Sequence, residues 1–224
     1  MKHAGKARHA ALKLILVGLL GACAVCAIAG FLMLGLWLAV FAACLWLLFT
    51  AFTFYFFRDP NAHTPQGPGL VVAPGHGKVD LIEKLAESNV PGGPCHRISI
   101  FLSVIDIHVQ NAPVSGTVTA VTRTNGKFMS ALKSDCAAFN ENVLIEIDAT
   151  ETPGEKIALR LIAGVLARRI VPFVTPGDEL QRGERISLIQ FGSRCDIYLP
   201  LSYILKVGLG ARVVGGETVV AAKA

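Results

Sequence analysis

The stretch RISLIQFGSRCDIYLP, residues 185–200, decides how this chain reads. Ile186–Phe191 and Cys195–Leu199 are short runs of β-branched, aromatic and other apolar residues, the composition that suits a pleated, half-buried strand. Gly192-Ser193 separates them as a turn signal, and Pro200 closes the second run because it has no N–H to give a strand ladder. By itself a Gly-Ser pair carries no chemistry, since turns are full of them.

Outward from this pair the same pattern recurs. Leu70–Ala73, Gly77–Ile82, Arg97–Leu102, Gly116–Thr124, Asn142–Ile147 and Lys156–Ala163 are mostly strand-length and bounded by turn residues. Their spacing is too close for βαβ units. Helical candidates are few: Met129–Cys136 and part of Ala163–Arg169. Residues 70–224 therefore read as a mostly β, barrel-sandwich-like domain with few short helices. Residues 58–69, rich in Pro, Gly and polar side chains, read as a linker. Two Gly-punctuated phrases, Pro74–Val79 and Pro176–Glu184, read as tight β structure. The second resembles the turn of lipoyl-type barrel-sandwich domains.

The N-terminal quarter is different. Between Ala10 and Phe57 the only charged residue is Lys13, and the first acid is Asp59. That segment explains why the whole chain is 53% hydrophobic and only 17% charged, against about 25% charged for a soluble domain. A bilayer core needs about 20 apolar residues of helix, and this run is more than twice that, with soft points at Gly30 and Gly35. The economical reading, within a segment 1–57, is a hairpin of two transmembrane helices, Leu14–Leu32 and Leu36–Phe56. A single tilted helix and a signal peptide are the competing readings, and the apolar run is far longer than a signal peptide requires. Lys2, Lys6, Arg8 and Lys13 before the first span and Arg58 after the second leave both ends cytoplasmic. Phe52, Phe54, Tyr55, Phe56 and Phe57 supply an interfacial aromatic band.

The net charge of +5 has the same origin. Five of the 21 basic residues lie at or before Arg58, and the other 16 are matched by 16 acids. The body is neutral, so the charge total gives no ground for a nucleic-acid partner. Arg168-Arg169 could meet anionic lipid head groups or form a solvated turn. Cys23 and Cys26 have C-x-x-C spacing but sit in the apolar segment with Cys44. Cys95, Cys136 and Cys195 are scattered and have no histidine partner motif. We expect ordinary free thiols and no metal site.

The Gly-Ser junction gains meaning from its company. Phe56-Phe57-Arg58-Asp59-Pro60, Ile98–Ser103, Asp106-Ile107-His108-Val109, Ala112–Gly116, Gly126-Lys127-Phe128, Ala167–Ile170, Gly177-Asp178, Arg182–Arg185 and Phe191-Gly192-Ser193-Arg194 follow one another in order. In these motifs the chain resembles the phosphatidylserine decarboxylase family, in its short, membrane-anchored prokaryotic form.

The resemblance implies a proenzyme that cuts itself between Gly192 and Ser193. Ser193 attacks the preceding carbonyl, elimination frees the upstream chain, and residue 193 becomes a pyruvoyl group with loss of ammonia. The large chain and the small chain, Ser193 to Ala224, then stay associated. The implied reaction is decarboxylation of phosphatidylserine, or a related serine lipid, to phosphatidylethanolamine through a Schiff base to the pyruvoyl group, which acts as electron sink. Membrane lipid is the implied partner and the inner membrane the implied location, with the catalytic domain on the cytoplasmic side. A homo-oligomer is left open.

His108 matches the family histidine after Asp-x and is the implied acid or base. Where the family carries Pro-Ala-Asp-Gly, this chain has Pro74-Gly75-His76-Gly77. His76 cannot hold an imidazolium as a carboxylate does, but its own pKa near neutrality suits it as a base. Gln110-Asn111 also departs from the usual Asn-Arg. A non-maturing homologue that binds lipid or scaffolds a membrane complex is the alternative these departures raise.

Overall fold

The computed structural model describes residues 5–31, 35–86, 93–129, 139–164, 169–190 and 193–224. They form two units, divided between Asp59 and Pro60.

The first unit is a pair of helices, α1 (Lys6–Phe31) and α2 (Gly35–Phe56). Lys6–Ile28 and Leu36–Phe56 are each long and apolar enough to cross a membrane. α1 begins well before Leu14, because Ala7, Ala10, Ala11 and Leu12 are good helix formers that carry it through the basic residues. The helices pair antiparallel: the Cys26 thiol reaches the Ala39 carbonyl at 3.8 Å, and Gly18 lies against the Phe49 ring. A Cβ at position 18 would come 2.9 Å from that ring, so the small residue sets the close approach.

The second unit is built from strands. In chain order they are β1 (Leu70–Val72), β2 (Gly77–Leu85), β3 (Cys95–Leu102), β4 (Val109–Asn111), β5 (Gly116–Thr124), β6 (Asn142–Ala149), β7 (Lys156–Ala163), β8 (Arg169–Pro172), β9 (Glu179–Leu180), β10 (Arg185–Gln190), β11 (Ser193–Pro200), β12 (Tyr203–Leu205), β13 (Arg212–Val213) and β14 (Val219–Lys223). Two three-stranded sheets run β1-β14-β12 and β4-β10-β8, and an eight-stranded sheet runs β13-β2-β3-β11-β7-β6-β5-β9. The strands of all three sheets pair antiparallel, so the mostly β expectation holds.

β11 lies near the middle of the large sheet, paired with β3 on one side and β7 on the other. Strand alternation gives it two faces. Cys195, Ile197 and Leu199 enter the main core with Ile98, Ile100 and Leu102 of β3 and Leu159 and Leu161 of β7. Arg194, Asp196 and Tyr198 take the opposite face and are also buried. Full burial of one such aliphatic side chain is worth about 1.5–3 kcal/mol, so this register is strongly specified.

One sequence expectation changes. Ser193 and Arg194 are not in a turn between strands: both belong to β11, because pairing with β3 and β7 extends the strand over the local turn signal. Residues 130–136 of the expected helix at Met129–Cys136 lie outside the described residues, and Met129 itself is in neither helix nor strand. Likewise Ala163 ends β7 and Arg169 opens β8, while 165–168 lie outside the described residues. β4, β8, β9 and β12 to β14 have two to five residues each, too few for a period to be read.

Residues 60–66 have no regular secondary structure but are tied down. Arg185 donates to the Pro60 carbonyl at 3.3 Å and to Asn61 Oδ1 at 3.0 Å, Arg182 donates to the Pro65 carbonyl at 3.1 Å, and the His63 amide donates to the Glu217 carboxylate at 2.9 Å.

Candidate active site

Ser193 opens β11, opposite Leu102 of β3 and Ala163 of β7. It is fully buried, and its Oγ has no hydrogen-bond partner among the described residues. A buried hydroxyl without a partner costs about 1–3 kcal/mol, and such exceptions call for an explanation, catalysis among them. By alternation Ser193 shares the core-facing side of β11 with Cys195. Gly192 and Phe191, the other half of the predicted junction, lie outside the described residues.

The turn carrying His76 packs on that same side. A Cβ at Gly75 would touch the Cys195 thiol and the Leu102 methyls at about 3.5 Å. Gly77, which opens β2, must be glycine because a Cβ there would enter the van der Waals shell of the Phe101 carbonyl oxygen. One residue on, Lys78, Phe101, Arg194 and Ile162 form a single row across β2, β3, β11 and β7. His76 and Ser193 therefore lie at the same end of the large sheet.

His76 has Asn111 as a neighbour. The position a Cβ would take on Gly215 is 2.9 Å from Asn111 Oδ1 and 3.1 Å from His76 Nε2. Asn111 Nδ2 donates to the Gly183 carbonyl at 2.8 Å, which anchors the amide. The Asn111 backbone amide also donates to the Pro74 carbonyl at 2.8 Å, so β4 and the His76 turn are clipped together.

His108 is buried just before β4. Its Nδ1 is 2.9 Å from the Asp106 carbonyl. A carbonyl can only accept, so Nδ1 carries the hydrogen, and in a neutral ring Nε2 is then the acceptor nitrogen. The His108 carbonyl accepts from the Ile189 amide at 3.0 Å and from Gln110 Nε2 at 2.7 Å, and Gln110 Oε1 accepts from Ser187 at 2.7 Å. These bonds fix His108 to β10, the strand that leads into the Gly192-Ser193 junction.

Asp106 organises the preceding turn. Its carboxylate accepts from the Ser103 amide at 2.9 Å, the Ser103 hydroxyl at 2.7 Å and Arg212 at 3.0 Å. Burial works to raise its pKa, but these donors and the Arg212 charge outweigh it and hold the carboxyl below the usual aspartate value.

Ser193 stands at the β11 head, His76 on a turn at the same end of the large sheet, and His108 at the start of β4, which pairs with β10. Neither imidazole hydrogen-bonds Ser193 Oγ. The meeting of His76 and Asn111 around Gly215 and the hold of the Asp106 carbonyl on His108 were not legible in the sequence. Neither was Asp80, which bonds Arg194 beside the serine. The nearest signal for it is an acid between the apolar Val79 and Leu81. No cluster of three or more metal-ligating side chains occurs among the described residues.

The fold and site define a β-sheet domain that follows a helical hairpin in the chain and carries a buried serine at the head of a central strand. The family model for phosphatidylserine decarboxylase matches residues 49–221. The phosphatidylserine decarboxylase proenzyme of Desulfotalea psychrophila is 45% identical over 175 residues, 78% of this chain and 81% of that one. The enzyme of the same name from Ruegeria pomeroyi is 44% identical over 77% of this chain and 79% of its own. That of Nitratidesulfovibrio vulgaris is 40% identical over 86% of each. The chain belongs to the phosphatidylserine decarboxylase family.

Proposed function

We propose that this protein decarboxylates phosphatidylserine to phosphatidylethanolamine after cutting itself between Gly192 and Ser193. The observation that carries the proposal is the buried Ser193 hydroxyl, unpartnered among the described residues, at the start of a strand. Its oxygen attacks the Gly192 carbonyl carbon. The C–N bond breaks, the nitrogen takes the proton, and an ester joins the two halves. Loss of the residue 193 Cα proton then breaks the Cβ–O bond and frees the Gly192 carboxylate. The dehydrated residue takes up water and releases ammonia, leaving a ketone.

The surroundings of Ser193 fit the pyruvoyl group so formed. Because Oγ makes no hydrogen bond among the described residues, its departure with Gly192 breaks none of those seen there. Burial beside Leu102 and Ala163 keeps bulk water from the carbonyl. When formed, the group supplies the electron sink that an amino acid needs as it loses CO₂.

The proton transfers fall to the two histidines. His108, with Nδ1 engaged by the Asp106 carbonyl, presents Nε2 as the acceptor or donor. His76, beside the anchored Asn111 amide, provides a second imidazole where the family pattern has a carboxylate. In this reading the domain works at the inner membrane, where the substrate lies, and on its cytoplasmic side; two helices long and apolar enough to cross a membrane and the basic residues flanking them support it.

The test is a gel and a mass spectrum. Purified protein yields a large chain and a small chain of residues 193–224, the latter blocked at its N-terminus, and the processed protein releases CO₂ from phosphatidylserine vesicles. Ser193→Ala stays intact. A single full-length band in the unmutated protein, or two fragments from Ser193→Ala, refutes the assignment.

A further inference from the structure

Arg194, the residue after the serine, projects to the face of the sheet opposite Ser193. Its guanidinium is fully buried and grips both carboxylate oxygens of Asp80, at 2.7 and 2.6 Å. The approach is made possible by a β-bulge. β2 pairs Val79 with Ile100 and Leu81 with Ser99, which leaves Asp80 as an extra residue with no opposite number. Bulges re-aim side chains and are common beside active sites. Here the bulge lets the carboxylate reach past β3 to β11. Phe101 and Ile162, the row partners of Arg194, pack with Met129 into a small apolar cluster on that face.

Self-cleavage changes what holds residue 193. In the proenzyme it is fixed by covalent continuity with β10. Afterwards it is a chain end, and loss of its nitrogen as ammonia removes its backbone donor. Chain ends fray unless tied down. Arg194 is the first residue of the small chain that still has a side-chain tie to the large chain, through a bidentate, charge-assisted pair.

We propose that Asp80 and Arg194 are positioning residues that take over from the broken peptide bond and keep the reactive carbonyl in register during turnover. The inference rests on the self-cleavage described above.

The experiment uses the full-length protein in detergent. Asp80→Asn is expected to cut itself at close to the normal rate, because the uncut chain keeps its register. Once processed, its kcat falls ~10- to 100-fold with KM within about threefold, the order expected for misplacing a reacting group by up to 1 Å. Hydrogen exchange over residues 193–200 rises in processed Asp80→Asn but not when the same substitution is made in uncleavable Ser193→Ala. Asp80→Glu recovers part of kcat. If Asp80→Asn does not fold, the neutral pair Asp80→Asn with Arg194→Gln, which removes the buried charge, must show the same loss of kcat after normal cleavage. A kcat within twofold of the unmutated enzyme overturns the proposal, as does a parallel loss of cleavage and turnover or equal exchange in the cut and uncut proteins. If the unmutated protein never cleaves, the proposed function itself has failed, an outcome distinct from any of these.

Discussion

Replacing Gly215 by alanine tests whether the His76–Asn111 arrangement matters for self-cleavage. The new methyl would lie 2.9 Å from Asn111 Oδ1 and 3.0–3.1 Å from the His76 ring. Relief to ordinary contact, about 3.5 Å for carbon atoms, requires a few tenths of an ångström of movement. Asn111 cannot yield cheaply, being held by its side chain to the Gly183 carbonyl and by its backbone to the Pro74 carbonyl, both at 2.8 Å. His76 is half-buried on a turn and is the group that moves. Gly215 is not in the left-handed region, so alanine brings no backbone strain there, unlike at Gly216, whose φ is +75°. Overpacking costs about 1–3 kcal/mol, offset by about 0.4–1 kcal/mol from a stiffer unfolded chain. Net destabilisation is therefore about 0–2.5 kcal/mol. A 1 Å misplacement near chemistry costs about 100-fold, so half of that, scaled logarithmically, slows cleavage about tenfold. The assay is the time course of the small-chain band, run beside a thermal unfolding curve. If Gly215→Ala cleaves within twofold of normal while His76→Ala is strongly slowed, the proposed hold on His76 is wrong. If His76→Ala itself cleaves normally, His76 has no part in maturation.

Two further perturbations follow from the site. Asp106 has its carboxyl held below the ordinary value of 3.8, so its contribution is complete above that pH and fades as pH falls through the lower folded-state value. Asp106→Asn should therefore destabilise the protein at neutral pH, by about 1–3 kcal/mol for hydrogen bonds to a charged group, with the gap closing only below pH 3.8 in acid unfolding curves; a gap that does not depend on pH would exclude the carboxylate's role. Cys195 is buried beside Asp196, and burial first, then the Asp196 charge, push its thiol far up despite Arg194. It is the only cysteine of residues 193–224, so the mass of the small chain should stay unchanged after iodoacetamide treatment of native protein at pH 8 and rise by one adduct after unfolding; rapid native labelling would show that the β11 head opens.

The parts legible in the sequence were those written in periodicity or contiguous motif. The apolar run before Arg58 announced two helices, and Gly116–Thr124 and Lys156–Ala163 were readable to the residue because their ends are punctuated by Gly and Pro. Ser193 was legible only as half of a motif, and its placement in a turn was wrong. Its strand exists because β3 and β7 pair with it from both sides, and the residues opposite Ser193 there, Leu102 and Ala163, are 91 and 30 residues away. No local window contains that information. The same holds for the contacts that orient the chemistry. Asn111 bonds Gly183, 72 residues distant, and Asp80 bonds Arg194, 114 residues distant. Asp80 looks like an ordinary solvent-facing acid within an alternating strand, and only the bulge makes it a partner for a buried guanidinium. Removing one member of such a pair leaves an uncompensated buried charge, which is strongly destabilising. In the uncut chain it is the pairing of β11 with β3 and β7 on both sides that fixes which face each residue takes: Ser193 falls on the core-facing side with Cys195, and Arg194 on the opposite side, where Asp80 meets it. The orientation of the nucleophile is set by strand partners far away in the sequence, and the residue that follows it becomes the holding point only once the chain is cut.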